Sequence, residues 1–254
     1  MVGMSNSLGP LSRRALVLLV LLGLMAAMAS QAAAAKKGNP ADRSRVEFAG
    51  YVWDVKSSNG LVGPGPNVFS DRNVRVDRRG DLHLQIRERR GQWTSAEVIL
   101  AQPLGHGTYS FEVRTPIGSL DPNAVFGMFT WSDDPVEHHR EIDMEFSRFG
   151  DPNATANAHY VVQPYTTPGN TETWSMPDVG TSQHQFQWSQ DQIGFSSSAG
   201  GQPLHSWSYT GPAAIPTPGD ARARINLWLF RGQPPLDGRP IEVVISDFKF
   251  TPAA

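Results

Sequence analysis

Glu141, Asp143 and Glu145 occupy alternate positions of the run Glu141-Ile142-Asp143-Met144-Glu145-Phe146. A spacing of two is the strand period, so in a β-strand the three carboxylates share one face, and Ile142, Met144 and Phe146 share the other, which reads as core. A helix would scatter the acids around its surface. Three like charges in a row repel one another and cost free energy unless some chemistry needs them. Glycoside hydrolysis does: it uses two carboxyl groups, one as nucleophile and one as acid/base, about 5–5.5 Å apart in retaining enzymes. At about 3.3 Å per residue the Cα atoms of Glu141 and Glu145 lie roughly 13 Å apart. Each side chain reaches about 4 Å inward, which leaves roughly 5 Å between the carboxyl groups and suits retention. Asp143 between them can hydrogen-bond one glutamate and keep a proton in the cluster, because crowded anions have raised pKa values. Two other readings stand beside this one: the solvent face of an amphipathic strand, and a calcium site, since hard cations take carboxylate oxygens.

The elements that must position these acids are strands. The chain has 254 residues, 39% hydrophobic and 18% charged, enough for one large β domain or two small ones. Its Gly 24 and Pro 20 favour many turns and short strands. The formal net charge of -2 gives no case for a nucleic-acid partner, and no basic stripe stands out in the sequence. Absence of cysteine excludes disulfides, thiol catalysis and a lipid-modified Cys anchor. Arg13-Arg14, the apolar run Ala15 to Ala29 and the small residues that follow predict a secretory signal over 1–35, with an uncleaved anchor as the competing reading. Its removal leaves 20 basic against 24 acidic side chains. The expected mature protein is secreted, extracellular or periplasmic, with no membrane contact after cleavage. Residues 36–47 are polar and aperiodic and are expected to form a flexible leader, ahead of a single domain over 48–254.

Along that domain the strand period recurs between turn residues. Strands are expected at Gly50–Val55, Asn73–Asp77, Leu82–Arg87, Ala96–Leu100, Tyr109–Thr115 and Ala124–Trp131, the last apolar on both faces and therefore central. The carboxylate strand follows, then Asn157–Tyr165, Phe186–Trp188 with Gln192–Ser196, Arg222–Phe230 and Ile241–Phe250. No helix of normal length and no internal repeat is evident. Many short strands at regular spacing argue for an all-β sandwich.

The sequence resembles glycoside hydrolase family 16, the jelly-roll β-glucanases, laminarinases and lichenases. Glu141-Ile142-Asp143-Met144-Glu145 matches that family's Glu-x-Asp-x-Glu signature. Around it, in the family's order, lie Gly80-Asp81-Leu82-His83-Leu84, Ser95-Ala96-Glu97-Val98, Gly105-His106-Gly107-Thr108-Tyr109, Phe126-Gly127-Met128-Phe129-Thr130-Trp131, His184-Gln185-Phe186-Gln187-Trp188 and Ile225-Asn226-Leu227-Trp228. The resemblance implies a concanavalin-like jelly roll of two antiparallel sheets with a concave substrate cleft. It further implies that Glu141 is the nucleophile, Glu145 the acid/base and Asp143 the residue that tunes them. Glucanases often carry an aromatic shortly before the first Glu; here the chain reads His138-His139-Arg140. The motif also lacks the extra residue that laminarinase-type members insert, as in lichenase-like and xyloglucan-transferase-like members.

A sugar has apolar faces and polar edges, so its site combines aromatic platforms with amides and hydroxyls. Trp131 is a platform candidate, with a core role as the alternative. Asn157 and His159 share a face with Gln163 and Tyr165. Asn226 and Trp228 face away from an apolar set, and family position supports a cleft role. Asn67 is a candidate for the rim. Glu97 is equally a cleft partner or a strand-surface acid. His138 and His139 would point in opposite directions on a strand, and their spacing does not suit zinc. Asp247 resembles a position that holds a structural Ca2+ in some family members; a surface acid is the other reading. No organic cofactor is required. The expectation is thus a secreted, monomeric, retaining endo-β-glucanase with a polysaccharide substrate. The alternatives are β-1,3-glucan or galactan as substrate, transglycosylation, a carbohydrate-binding protein without turnover, and a calcium-stabilised wall scaffold.

Overall fold

Two antiparallel sheets pack face to face in the computed structural model, which describes residues 43–209, 211 and 214–253. The expected signal segment lies outside the described residues. In chain order the strands are β1 (Arg45–Phe48), β2 (Tyr51–Val55), β3 (Val74–Val76), β4 (Leu82–Arg89), β5 (Gln92–Thr94), β6 (Ala96–Leu100), β7 (Gly107–Val113) and β8 (Ala124–Trp131). They continue as β9 (Ile142–Phe146), β10 (Ala158–Val162), β11 (Thr171–Trp174), β12 (Ser182–Trp188), β13 (Ile193–Ala199), β14 (Gln202–Tyr209), β15 (Arg222–Leu229) and β16 (Ile241–Pro252). The first sheet runs β1-β2-β6-β15-β8-β9-β10-β11; the second runs β14-β13-β12-β7-β16-β4-β3, with β5 on β4. This is the sandwich expected from the strand pattern, in the jelly-roll form that the resemblance implies. Among the described residues no helix is long and apolar enough to cross a membrane.

The core lies between the sheets, and its aromatic residues join them. Trp53 of β2 meets Phe248 of β16 edge-on at 5.1 Å, and Tyr160 of β10 stacks on Phe195 of β13 at 4.9 Å. Each such ring contributes about 1.5–3 kcal/mol through burial. On β9, Ile142, Met144 and Phe146 are fully buried in this core, so the strand's period of two turns the acids to the opposite, concave face. One polar cluster sits inside. His184 of β12 contacts the hydroxyl of Ser197 through Nδ1 at 2.6 Å and that of Ser182 through Nε2 at 2.8 Å, and Tyr160 Oη lies 2.7 Å from the same Ser197 hydroxyl. Burial pushes the His184 pKa down to about 3, so it is a neutral part of the packing.

Two expectations need correction, and three strands were not foreseen. The leader was expected to run to residue 47, but Arg45–Phe48 is a strand paired with β2. Phe48 is buried, and Ala49-Gly50 closes a two-residue hairpin with φ of 52° and 79°, the primed-turn geometry that matches strand twist. The strand after the carboxylate one is shorter than Asn157–Tyr165: pairing with β9 covers Ala158–Val162. Pro164 has no N–H to extend the ladder, and Gln163 ends it. Finally, β5, β11 and β14 carry too little apolar periodicity to be seen in the sequence and are held by pairing with neighbours.

Candidate active site

Register places the acids on a lattice. Glu145 lies between Gly127 of β8 and His159 of β10, and Asp143 between Phe129 and Val161. On the next strand, Asn226 pairs with Gly127 and Glu97, and Arg224 with Phe129 and Ile99. These cross-strand rows form the floor of a cavity of about 290 Å³ that contains all three carboxyl groups, with Trp131 and Trp228 on its walls and Gly63-Pro64 at its edge. Gly127 matters here for its missing side chain: a Cβ would come within 2.7 Å of Asn226 Oδ1. Its absence hollows the floor directly between Asn226 and Glu145.

The carboxyl groups sit in an environment that favours their protonated forms. Burial comes first, and pushes Glu141 up to about 8 and Glu145 up to about 7. Asp143, fully enclosed, is raised further by both neighbouring glutamates. A hydrogen bond from Asp143 and the positive charge of Arg224 favour the ionised form of Glu141. Gln163 Nε2 donates to Asp143 Oδ2 at 3.2 Å, and its backbone N–H donates to the Glu141 carbonyl at 3.1 Å. The cluster therefore shares protons among three acids near neutral pH, the state required of a nucleophile and acid/base pair.

A chain of ion pairs runs along the floor beside the acids. Lys56 Nζ meets Glu97 Oε2 at 2.8 Å, and Glu97 Oε1 meets Arg224 at 3.2 Å. A second Arg224 nitrogen meets Asp133 at 3.2 Å. Glu97 is thus a cavity residue. Arg224 Nε and Asn226 Oδ1, on two residues that line the cavity, are buried with no partner.

The segment before the acids is unlike its sequence expectation. His138 and His139 do not alternate on a strand. Glu137 to Arg140 have φ of 54°, 54°, 63° and 53°, four consecutive left-handed residues without a glycine. Such a turn costs about 1–2 kcal/mol per residue. It is held from both sides: Thr217 donates its N–H and hydroxyl to Glu137 Oε2 at 3.0 and 2.7 Å, and Ser132 N–H donates to the His139 carbonyl at 2.7 Å. The result lays the His139 imidazole parallel to Trp131 at 4.0 Å. One face of the Trp131 ring is covered, which fixes the ring at the cavity wall.

The other sequence candidates divide. Trp131, Asn226 and Trp228 line the cavity. His159 stands beside Glu145 but outside the cavity; its Nε2–H donates to the Ser147 carbonyl at 3.2 Å, and burial holds its pKa below the usual range. Asn67 and Asn157 are corrections. Asn67 is buried, donates to the Pro64 and Leu229 carbonyls, and accepts from Ser95 and the Leu229 N–H. It pins the Gly63-Pro64 loop to β15 and has no capacity left for a sugar. Asn157 spends its amide on Gly118 and Met176 in the same way. Tyr165 lies past the end of β10, exposed and outside the cavity. Asp247 is on β16 of the other sheet, its carboxylate capping the Phe248 N–H at 2.9 Å; among the described residues no three His, Asp or Glu side chains gather as a metal site. Sequence reasoning missed Lys56, Gly127 and Arg224 as site residues. Arg224 shares the period-two face of Asn226 and Trp228, which was the available signal.

No protein-family model matches the chain, and no curated protein matches it. Solved structures do match its fold. A Bacillus licheniformis β-glucanase superposes with a TM-score of 0.60 at 17% identity, covering 79% of this chain and 92% of that one. A β-1,3-1,4-glucanase (lichenase) from a mouse hindgut metagenome gives 0.61 at 17%, covering 82% and 96%. An immunostimulatory antigen and pseudo β-1,3-glucanase of Mycobacterium tuberculosis gives 0.60 at 20%, covering 84% and 93%. The chain has the jelly-roll fold of these β-glucanases.

Proposed function

We propose that this chain is a secreted, retaining endo-β-glycosidase that hydrolyses a β-glucan by double displacement. The observation that carries this reading is the buried group of three acids on one strand face, opening into a cavity with aromatic walls. Glu141 attacks the anomeric carbon. It is the glutamate with two influences favouring its ionised form, the Asp143 hydrogen bond and Arg224. Glu145, raised by burial to about 7, is protonated in the reactive form of the proton-sharing cluster, in which Glu141 is ionised, and delivers that proton to the leaving oxygen. Water then enters; Glu145 takes its proton, and attack on the glycosyl ester frees Glu141 with the anomeric configuration retained. Asp143, donating to Glu141 before attack, holds the proton that keeps a third charge off the strand. The neutral amide of Asn226 and the hollow at Gly127 would receive the sugar beside the scissile bond. The fold neighbours described as a lichenase and a β-glucanase support a glucan over other polysaccharides.

A second reading is carbohydrate binding without turnover, since one fold neighbour is described as a pseudo β-1,3-glucanase. Product analysis on mixed-linkage glucan, β-1,3-glucan, xyloglucan and agarose, with Glu141→Gln as the blank, separates the two. Oligosaccharides from a glucan with wild type alone support hydrolysis. Equal binding by both proteins with no product from either supports the second reading.

A further inference from the structure

The arginines that are dispersed in the sequence are gathered on one surface in the fold. Arg43, Arg72, Arg75, Arg87 and Arg89, with Val74 and Gln85, line an open groove of about 440 Å³ on the β3–β4 edge of the second sheet. Among the described residues its lining contains no acid. The geometry follows from register: residues Gln85, Arg87 and Arg89 alternate along β4 with the buried Leu84 and Ile86, so their side chains project outward, and Arg75 projects from the paired strand β3. Arg75 is the only one of the five in an ion pair among the described residues, with Glu242 at 3.2 Å. Arg87 makes a neutral hydrogen bond to Gln85. Arg89 Nε is buried with no partner. Of the neighbouring acids, Glu242 and Asp77 are occupied by Arg75, Gln85 and His83, and Asp71 and Glu88, beside Arg72 and between Arg87 and Arg89 in the chain, lie outside the lining. On a chain whose net charge is -2, so many uncompensated guanidinium groups along one groove repel one another and form a ready site for anions.

We propose that this groove docks an acidic polysaccharide, a glycan carrying carboxylate, sulfate or phosphodiester groups, and so holds the protein on its matrix while the catalytic cleft of the other sheet works on neutral chains. Guanidinium forks match the planar or tetrahedral oxyanions of such a glycan in pairs of hydrogen bonds. Arg87 and Arg89, two residues apart on one strand face, are spaced by about 6.6 Å, a distance that successive substituents on an extended sugar chain can meet. A membrane surface fits less well, because none of the large exposed apolar side chains (Val52, Leu61, Val62, Val136, Tyr165 and Leu236) lines this groove to insert between lipids. Single-stranded nucleic acid would need aromatic platforms, and none of the described residues lining the groove is aromatic.

The test uses the full mature chain in affinity electrophoresis through gels containing polygalacturonate, dextran sulfate or neutral dextran. Wild type should be retarded by one or both acidic polymers and not by dextran, with retardation falling as salt rises. The triple variant Arg72→Gln, Arg87→Gln, Arg89→Gln should bind roughly tenfold or more weakly, while its hydrolysis of a soluble neutral glucan and its melting temperature stay at wild-type values. A control that removes the same charge elsewhere, Arg114→Gln, Arg231→Gln and Arg239→Gln, should bind as wild type. Equal loss in both triple variants would reduce the effect to net charge and overturn the site. So would undiminished binding by the first variant. Tighter binding to vesicles of phosphatidylglycerol in phosphatidylcholine, or to duplex DNA, than to either acidic glycan would overturn the choice of partner.

Discussion

Glu141→Gln should make the folded protein more stable at alkaline pH. The reasoning is linkage. A carboxyl group with a pKa of 4.5 when unfolded and about 8 when folded binds a proton more readily in the native state. The native state is therefore penalised as pH rises through that window, and carries no penalty below 4.5, where both states are protonated. The full shift corresponds to about 5 kcal/mol at 1.36 kcal/mol per pKa unit, of which about 4 kcal/mol is expressed at pH 8. Glu141 reaches the cavity surface, where water screens part of this, so a gain of about 2–4 kcal/mol is expected. Glutamine has the shape of the protonated acid and keeps an oxygen to accept from Asp143, so packing should be undisturbed. Urea unfolding of wild type and variant at pH 8, 6 and 4.5 measures the gain, which should shrink stepwise and vanish near pH 4.5. A variant no more stable than wild type at pH 8, or a gain that does not change with pH, would refute the claim that burial and mutual repulsion load this site.

Other outcomes follow from the same geometry. His184, fully buried with a pKa lowered from 6.5 to about 3, contributes stability that is complete above pH 6.5 and is lost as pH falls toward 3, about 3 kcal/mol by pH 4. His184→Gln should be less stable at pH 7 but show a flatter loss between pH 7 and pH 4 in urea titrations; parallel curves would exclude His184 as the source. Asn157→Ala removes three hydrogen bonds between Asn157 and the Gly118 and Met176 backbone, and should cost about 2–4 kcal/mol in chemical unfolding with KM unchanged. Gly127→Ala puts a methyl group under the sugar, against Asn226. Its kcat/KM should fall about tenfold, close to 1.4 kcal/mol, while thermal melting moves by only a few degrees.

The acids were legible because β9 states its geometry in two registers at once, apolar inward and acidic outward, within five residues. The sandwich was legible for the same reason in β4, β8 and β15. What the sequence hid was pairing. Asn67 and Asn157 have the residue type of sugar ligands, and only the fold shows their amides committed to backbone at Leu229, Gly118 and Met176. Arg224 was visible as an outward residue, but its placement over Glu97 and Asp133 depends on which strands flank β15. The left-handed turn at Glu137–Arg140 carries no glycine to announce it; it exists because Thr217, Ser132 and Trp131, distant or indirect in sequence, hold it. The arginine groove was missed for a related reason: no stretch of the chain is a basic stripe, and the surface forms only when β3, β4 and the residues before β1 and β3 meet.

Following the anomeric proton of the newly released reducing end by NMR, during the first minutes of β-glucan hydrolysis, tests the double displacement most directly. With Glu141 as nucleophile and Glu145 as acid/base, the β-anomer appears first and the α-anomer grows only by mutarotation. The α-anomer appearing first would contradict the double displacement, and release of the β-anomer at an undiminished rate by Glu141→Gln would remove Glu141 from the reaction.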